Sequence, residues 1–115
     1  MGESTAIYYY GESAESCLAQ VASIIEDLEP LSADAARALV QLLLPPGAAR
    51  NAVDCALWDL AAKAAGLPLW RYAGLDKKPE PLTTAFTISL GDAVVMKADA
   101  AKAAAKGYSL LKLKL

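Results

Sequence analysis

Lys112 and Lys114 are the residues of this 115-residue chain whose type and spacing best suit chemistry. They stand in the run Leu110-Leu111-Lys112-Leu113-Lys114-Leu115, where leucine and lysine alternate strictly. That period belongs to a β-strand, so the two lysines share one face and the leucines take the other. If the surroundings of the two ammonium groups remove water, the charged form is disfavoured and a neutral amine base becomes accessible near neutral pH. On these residues alone, an edge strand with solvated lysines is the simpler explanation.

The elements before the lysines decide where that face points. Asp92 to Lys106 reads as an alanine-rich helix closed by Gly107, and Leu82 to Leu90 reads as a second strand. Strand, helix and strand in this order make a parallel pair whose helix covers one face of the sheet. The leucines are expected under the helix. In the earlier strand Phe86, Ile88 and Leu90 form the matching apolar face, while Thr83, Ala85, Thr87 and Ser89 lie on the lysine side. In an open two-layer sheet the lysine side meets water; in a closed β/α barrel it points into the lumen, where C-terminal strand ends build active sites.

Upstream the chain is helical. Ser13 is a good N-cap for a helix to about Leu28, with Leu18, Val21, Ile24, Ile25 and Leu28 as its apolar stripe and Pro30 as its stop. Ser32 or Asp34 caps a second helix ending at Pro45-Pro46, and a third runs from about Ala48 to Ala65, closed by Gly66. The stripe of this third helix, from Ala49 to Ala64, is poor in bulk and lets neighbours approach closely. Arg50 and Asp54 are spaced to pair along it. Trp58 reads as a core or interface anchor, and the paired carboxylates Asp54 and Asp59 leave open metal or acid–base work beside an ordinary surface role. A short helical turn, Pro68 to Tyr72, ends at Gly74. Residues 1–12, with Tyr8, Tyr9 and Tyr10, read as a loop. The polar, proline-rich stretch from Asp76 to Pro81 is the one internal boundary.

Composition narrows the classes. A hydrophobic content of 56% suffices for a core, and a net charge of −2 with eleven scattered Lys and Arg gives no basic field for nucleic acid. No apolar run is long enough to span a membrane, and Met1-Gly2-Glu3 has no signal-peptide character. Cys17 and Cys55, without a CxxC pair and without any histidine, read as reduced core residues of a cytoplasmic protein.

Three stretches together resemble a known family. Thr84-Ala85-Phe86-Thr87-Ile88-Ser89, Gly107-Tyr108-Ser109-Leu110-Leu111-Lys112-Leu113-Lys114, and Pro46-Gly47-Ala48-Ala49-Arg50-Asn51-Ala52-Val53-Asp54-Cys55-Ala56-Leu57-Trp58-Asp59-Leu60 are similar to segments of enolase-superfamily enzymes. The resemblance is to the muconate-cycloisomerase-like subgroup and, within it, to dipeptide epimerases of the L-Ala-D/L-Glu type. It implies an α/β fold in which residues 1–80 are the mostly helical part of a capping domain without its N-terminal sheet. Residues 81–115 would be the first β/α/β unit of a TIM-like (β/α)7β barrel.

By the same resemblance Lys114 is the base that removes an α-proton through an enediolate intermediate. Lys112 is the accompanying cation that pairs with the substrate carboxylate, and Thr87 contacts a small dipeptide substrate. The tyrosine loop would close over the substrate. Magnesium is the implied cofactor, its acidic ligands lying on later strands beyond Leu115 together with the second lysine. The chain is thus expected to be an N- and C-terminally truncated piece of a homo-oligomeric isomerase, inactive alone, with no nucleic-acid or membrane partner. A muconate cycloisomerase or o-succinylbenzoate synthase shares the lysine motif and stays open as an alternative. So does a non-catalytic helical module that self-associates through its open strand edges and apolar faces.

Overall fold

The structure, a computed structural model, describes all 115 residues. They form two compact units, Met1–Lys78 and Pro79–Leu115.

In the first unit, Tyr8–Tyr10 form a turn of 3-10 helix that ends at Gly11 in the left-handed conformation, φ 77°. Helix α1 (Ala14–Ala22) begins at a reciprocal cap. The Ser13 hydroxyl accepts from the Ser16 amide at 3.1 Å, and the Ser16 hydroxyl accepts from the Ser13 amide at 2.9 Å, which satisfies two otherwise orphaned donors. The helix expected to run unbroken to Leu28 is interrupted. The Ser23 hydroxyl donates back to the Gln20 carbonyl at 2.8 Å, and Ile24 leaves helical geometry at φ −122° before α2 (Ile25–Leu28) resumes. The break turns Ile24 into the core, where it is buried. Leu18 and Ile25, expected on the inner stripe, are exposed.

Helix α3 (Ala33–Leu43) is capped by Ser32, whose hydroxyl accepts from the Ala35 amide at 3.3 Å. It stops because Leu44, which precedes Pro45, takes extended geometry and points into the core. Helix α4 (Ala48–Ala64) then lies against both α3 and α1, and α5 (Leu69–Tyr72) follows. Ile24, Leu28, Ala36, Val40, Leu44 and Ala49 form the core, with Val40 completely buried. Ala36 and Ala49 are nearly inaccessible, which is how α3 and α4 approach closely. Cys17 packs against this cluster, but Cys55 is exposed on the outer side of α4, contrary to the expectation of a core residue; both are free thiols. Leu42 and Leu60 are likewise exposed, because no element of the unit covers those sides of α3 and α4.

The second unit is a parallel pair, β1 (Phe86–Ile88) and β2 (Leu111–Leu113), joined through α6 (Ala93–Ala105). The register sets Phe86 opposite Leu111, Thr87 opposite Lys112 and Ile88 opposite Leu113. The Phe86 amide donates to the Leu110 carbonyl at 2.9 Å and the Lys114 amide to the Ile88 carbonyl at 3.1 Å. Both strands are shorter than the sequence pattern suggests, since each has only one neighbour to pair with. Ile88 and Ala103 are buried between β1 and α6, and the Phe86 and Tyr108 rings sit 4.7 Å apart. The leucines of β2 are not sealed beneath the helix: Leu111 is half-buried, Leu113 is exposed and Leu115 fully so. An alanine-rich helix packed on β1 is too slim to shield its neighbour as well. No helix is long and apolar enough to cross a membrane.

Candidate functional site: one face of the parallel strand pair

Thr87, Lys112 and Lys114 fall on one face of the second unit. Thr87 and Lys112 are registered neighbours across the ladder. Lys114, two residues further along, shares the face of Lys112 by strand alternation, and its amide fixes the chain to Ile88 at the C-terminal end of both strands. All three side chains are exposed, and neither lysine enters an ion pair. The two-stranded sheet therefore offers two free ammonium groups and a hydroxyl, an arrangement able to receive a carboxylate. It does not supply the desolvation expected in a closed barrel, because a lumen needs strands on every side.

The carboxylates of α4 are committed elsewhere. Asp54 does not pair with Arg50 along the helix as its spacing suggested. Its Oδ1 instead accepts from Arg37 Nε and from Gln41 Nε2, each at 3.4 Å, from the neighbouring helix α3. The Arg37 guanidinium lies 3.6 Å from the centre of the Trp58 ring, whose edge meets Tyr72 with centroids 5.7 Å apart. Arg37, Asp54, Trp58 and Tyr72 thus tie α3, α4 and α5 together, which accounts for Trp58 as an anchor. Asp59 accepts from Lys63 Nζ at 2.6 Å and also meets the terminal ammonium of Met1; the Lys63 bond first, then the terminus, holds its carboxyl below the usual range.

Sequence reasoning missed Glu12. Its Oε2 accepts from the Ile7 amide at 2.8 Å and its Oε1 from the Ala48 amide at 2.7 Å, the first residue of α4. These two bonds, the Ala48 one first, hold the Glu12 carboxyl below the usual glutamate range. The available signal was negative. Helix α4 starts at Gly47 with no side-chain cap of its own and no acidic residue in its first turn, which leaves its first amides open to a carboxylate from elsewhere.

No three His, Cys, Asp or Glu side chains come together anywhere in the chain. The residues present do not fit the magnesium that the enolase-superfamily resemblance implies.

A family model described as mandelate racemase / muconate lactonizing enzyme, N-terminal domain, matches residues 1–74. The chain belongs to the mandelate racemase/muconate lactonizing enzyme family. It is 42% identical over 114 residues to the L-Ala-D/L-Glu epimerase of Escherichia coli (strain K12), a match that takes in 99% of this chain and 34% of that protein. The L-Ala-D/L-Glu epimerase of Bacteroides thetaiotaomicron is 34% identical over 117 residues, with 99% of this chain and 30% of that one covered. A solved structure of an L-Ala-D/L-Glu epimerase superposes with a TM-score of 0.76 at 42% identity, covering 99% of this chain and 35% of the other. The chain spans about a third of the length of these relatives. Within the mandelate racemase/muconate lactonizing enzyme family it is therefore dipeptide-epimerase-like, and its α/β architecture, mostly helical with two parallel strands, is that of the matched region.

Proposed function

We propose that this chain carries the first proton-transfer face of a dipeptide epimerase acting on an alanyl-glutamate type of substrate. What supports the reading is the register of Thr87 opposite Lys112, with the Lys114 amide bonded to Ile88 just beyond β2, in a chain 42% identical to an L-Ala-D/L-Glu epimerase. In this reading residues 81–115 are the first strand, helix and second strand of a β/α barrel, and residues 1–80 belong to the capping domain. Lys114 Nζ takes the α-proton; the C–H bond breaks and its electron pair moves onto the adjoining carboxylate. The Lys112 ammonium balances the charge that collects there, and the Thr87 hydroxyl orients the substrate. Return of a proton to the opposite face completes epimerisation and needs a second donor.

Magnesium finds no ligand set among these residues. The chain alone is expected to be inactive. Incubation with L-Ala-L-Glu and magnesium in deuterated water checks this: no α-deuterium is expected to appear, and metal-dependent incorporation overturns the claim of inactivity. A muconate cycloisomerase or o-succinylbenzoate synthase would keep the two lysines. The similarity to two L-Ala-D/L-Glu epimerases favours the dipeptide.

A further inference from the structure

We propose that Glu12 is a carboxylate latch that clamps the Tyr8–Tyr10 turn onto the N-terminus of α4 and releases it when the carboxylate is lost. Both oxygens are engaged, one on each side of the latch: Oε2 by the Ile7 amide at the base of the turn, Oε1 by the Ala48 amide on the helix. The turn is closed on itself around the same residue. Tyr10 and Glu12 both donate their amides to the Ile7 carbonyl, at 2.9 and 3.3 Å, and Gly11 donates to the Tyr8 carbonyl at 3.0 Å. The helix side is shaped to receive the carboxylate, because a Cβ on Gly47 would stand 2.5 Å from Glu12 Oε1. Backbone spacing explains neither feature. Helix α4 lacks any local side-chain cap, so the residue that caps it lies 36 positions earlier in the chain.

A latch of this kind couples two things that are separate in sequence. The three tyrosine rings contact each other edge to face, at 5.3 and 4.8 Å between centroids, and all three are exposed. Nothing buried holds them in place, so the order of this aromatic turn rests on its backbone bonds and on Glu12. Helix α1 contributes Ser16 and Gln20 to the cleft around the carboxylate, α4 contributes Asn51, and the linker contributes Pro45 and Pro46. None of these carries a charge, and the one other titratable group lining the cleft is Tyr10. Protonation of Glu12 itself is then what opens the latch. Because the two amide bonds favour the ionised form, the latch is closed above the ordinary glutamate range and opens as pH falls through the depressed value.

Amide spectroscopy on the intact chain, followed through an acid titration, tests this directly. The Ile7 and Ala48 amide resonances should move together, with one midpoint below 4.5, the ordinary glutamate value. Chymotrypsin, which cuts after tyrosine, reads the turn independently. In Glu12→Gln cleavage at Tyr8–Tyr10 should be about tenfold faster than in the wild type while far-ultraviolet circular dichroism is unchanged. Gly47→Ala displaces the carboxylate without removing it and should accelerate the same cuts. If Glu12→Gln does not fold, the wild-type titration and Gly47→Ala decide. Amides that titrate at separate midpoints, or turn cleavage in both variants equal to wild type, overturn the latch.

Discussion

Replacing Arg37 by alanine should destabilise the helical unit by about 2 kcal/mol. The guanidinium has three partners, of which Asp34, an i,i+3 pair at 3.7 Å with a 75% exposed carboxylate, contributes little. It lies 3.6 Å from the Trp58 ring centre, and its Nε meets Asp54 Oδ1 at 3.4 Å. The Arg37 and Asp54 side chains are 25% and 27% exposed, so neither is fully desolvated and the pair stays well short of a buried ion pair. A cation over an indole at this partial burial contributes ~1 kcal/mol, and a half-screened ion pair adds up to ~1. Arg37→Lys keeps the charge near Asp54 but loses the planar stack, so it should cost roughly half as much. In a unit of this size each kcal/mol lowers the melting temperature by about 4–8 °C.

The assay is urea unfolding followed by tryptophan fluorescence, since Trp58 and Trp70 both lie in the first unit. High salt should narrow the difference between Arg37→Ala and wild type only in part, because the ring contact is not screened as the ion pair is. Arg50→Ala is the control, and it should move the midpoint by no more than about 0.5 kcal/mol. Equal effects of Arg37→Ala and Arg50→Ala would refute the assignment of Asp54 and Trp58 to Arg37.

Other outcomes follow from the same structure. Val40→Ala removes two methyl groups from the fully buried centre of the core, which at ~0.8 kcal/mol each plus a cavity term should cost about 2–3 kcal/mol in urea unfolding. Gly107, at φ 91°, closes α6; alanine there should cost ~1–2 kcal/mol and speed amide exchange in β2. Stability should be flat above about pH 5.5 and fall below it. Glu12 and Asp59 both have depressed folded-state pKa values, so their contribution is complete above the unfolded values and is lost as pH falls through the folded ones. Urea midpoints measured across this range in wild type and Glu12→Gln check the sign, because the variant should show a shallower acid slope.

The parts of this molecule legible in the sequence are those whose cause is local. Ser13, Ser32, Pro45, Gly66 and Gly107 mark helix ends through caps, missing donors or left-handed backbone, and the structure places helix ends at each. The alternation of Leu110 to Leu115 placed the lysines on one face for the same reason. The misreadings share a different cause. Arg50 and Asp54 have the spacing to pair, yet the cation that takes Asp54 arrives from α3 and is held there by Trp58, which periodicity does not reveal. Cys55 shares its helix with buried alanines but lies on the side that nothing covers. Ser23 breaks a continuous apolar stripe by bonding its own backbone. Glu12 was invisible because its partners lie 5 and 36 residues away.

The lysine face remains the centre of the account, and a chimera tests it most directly. This chain would replace the matching third of the Escherichia coli L-Ala-D/L-Glu epimerase, to which it is 42% identical. The chimera should epimerise L-Ala-L-Glu, and Lys114→Ala within it should lower the rate by about 10²–10⁴-fold while far-ultraviolet circular dichroism is unchanged. A folded Lys114→Ala chimera that works within a few-fold of its parent would contradict the assignment of Lys114 as the base.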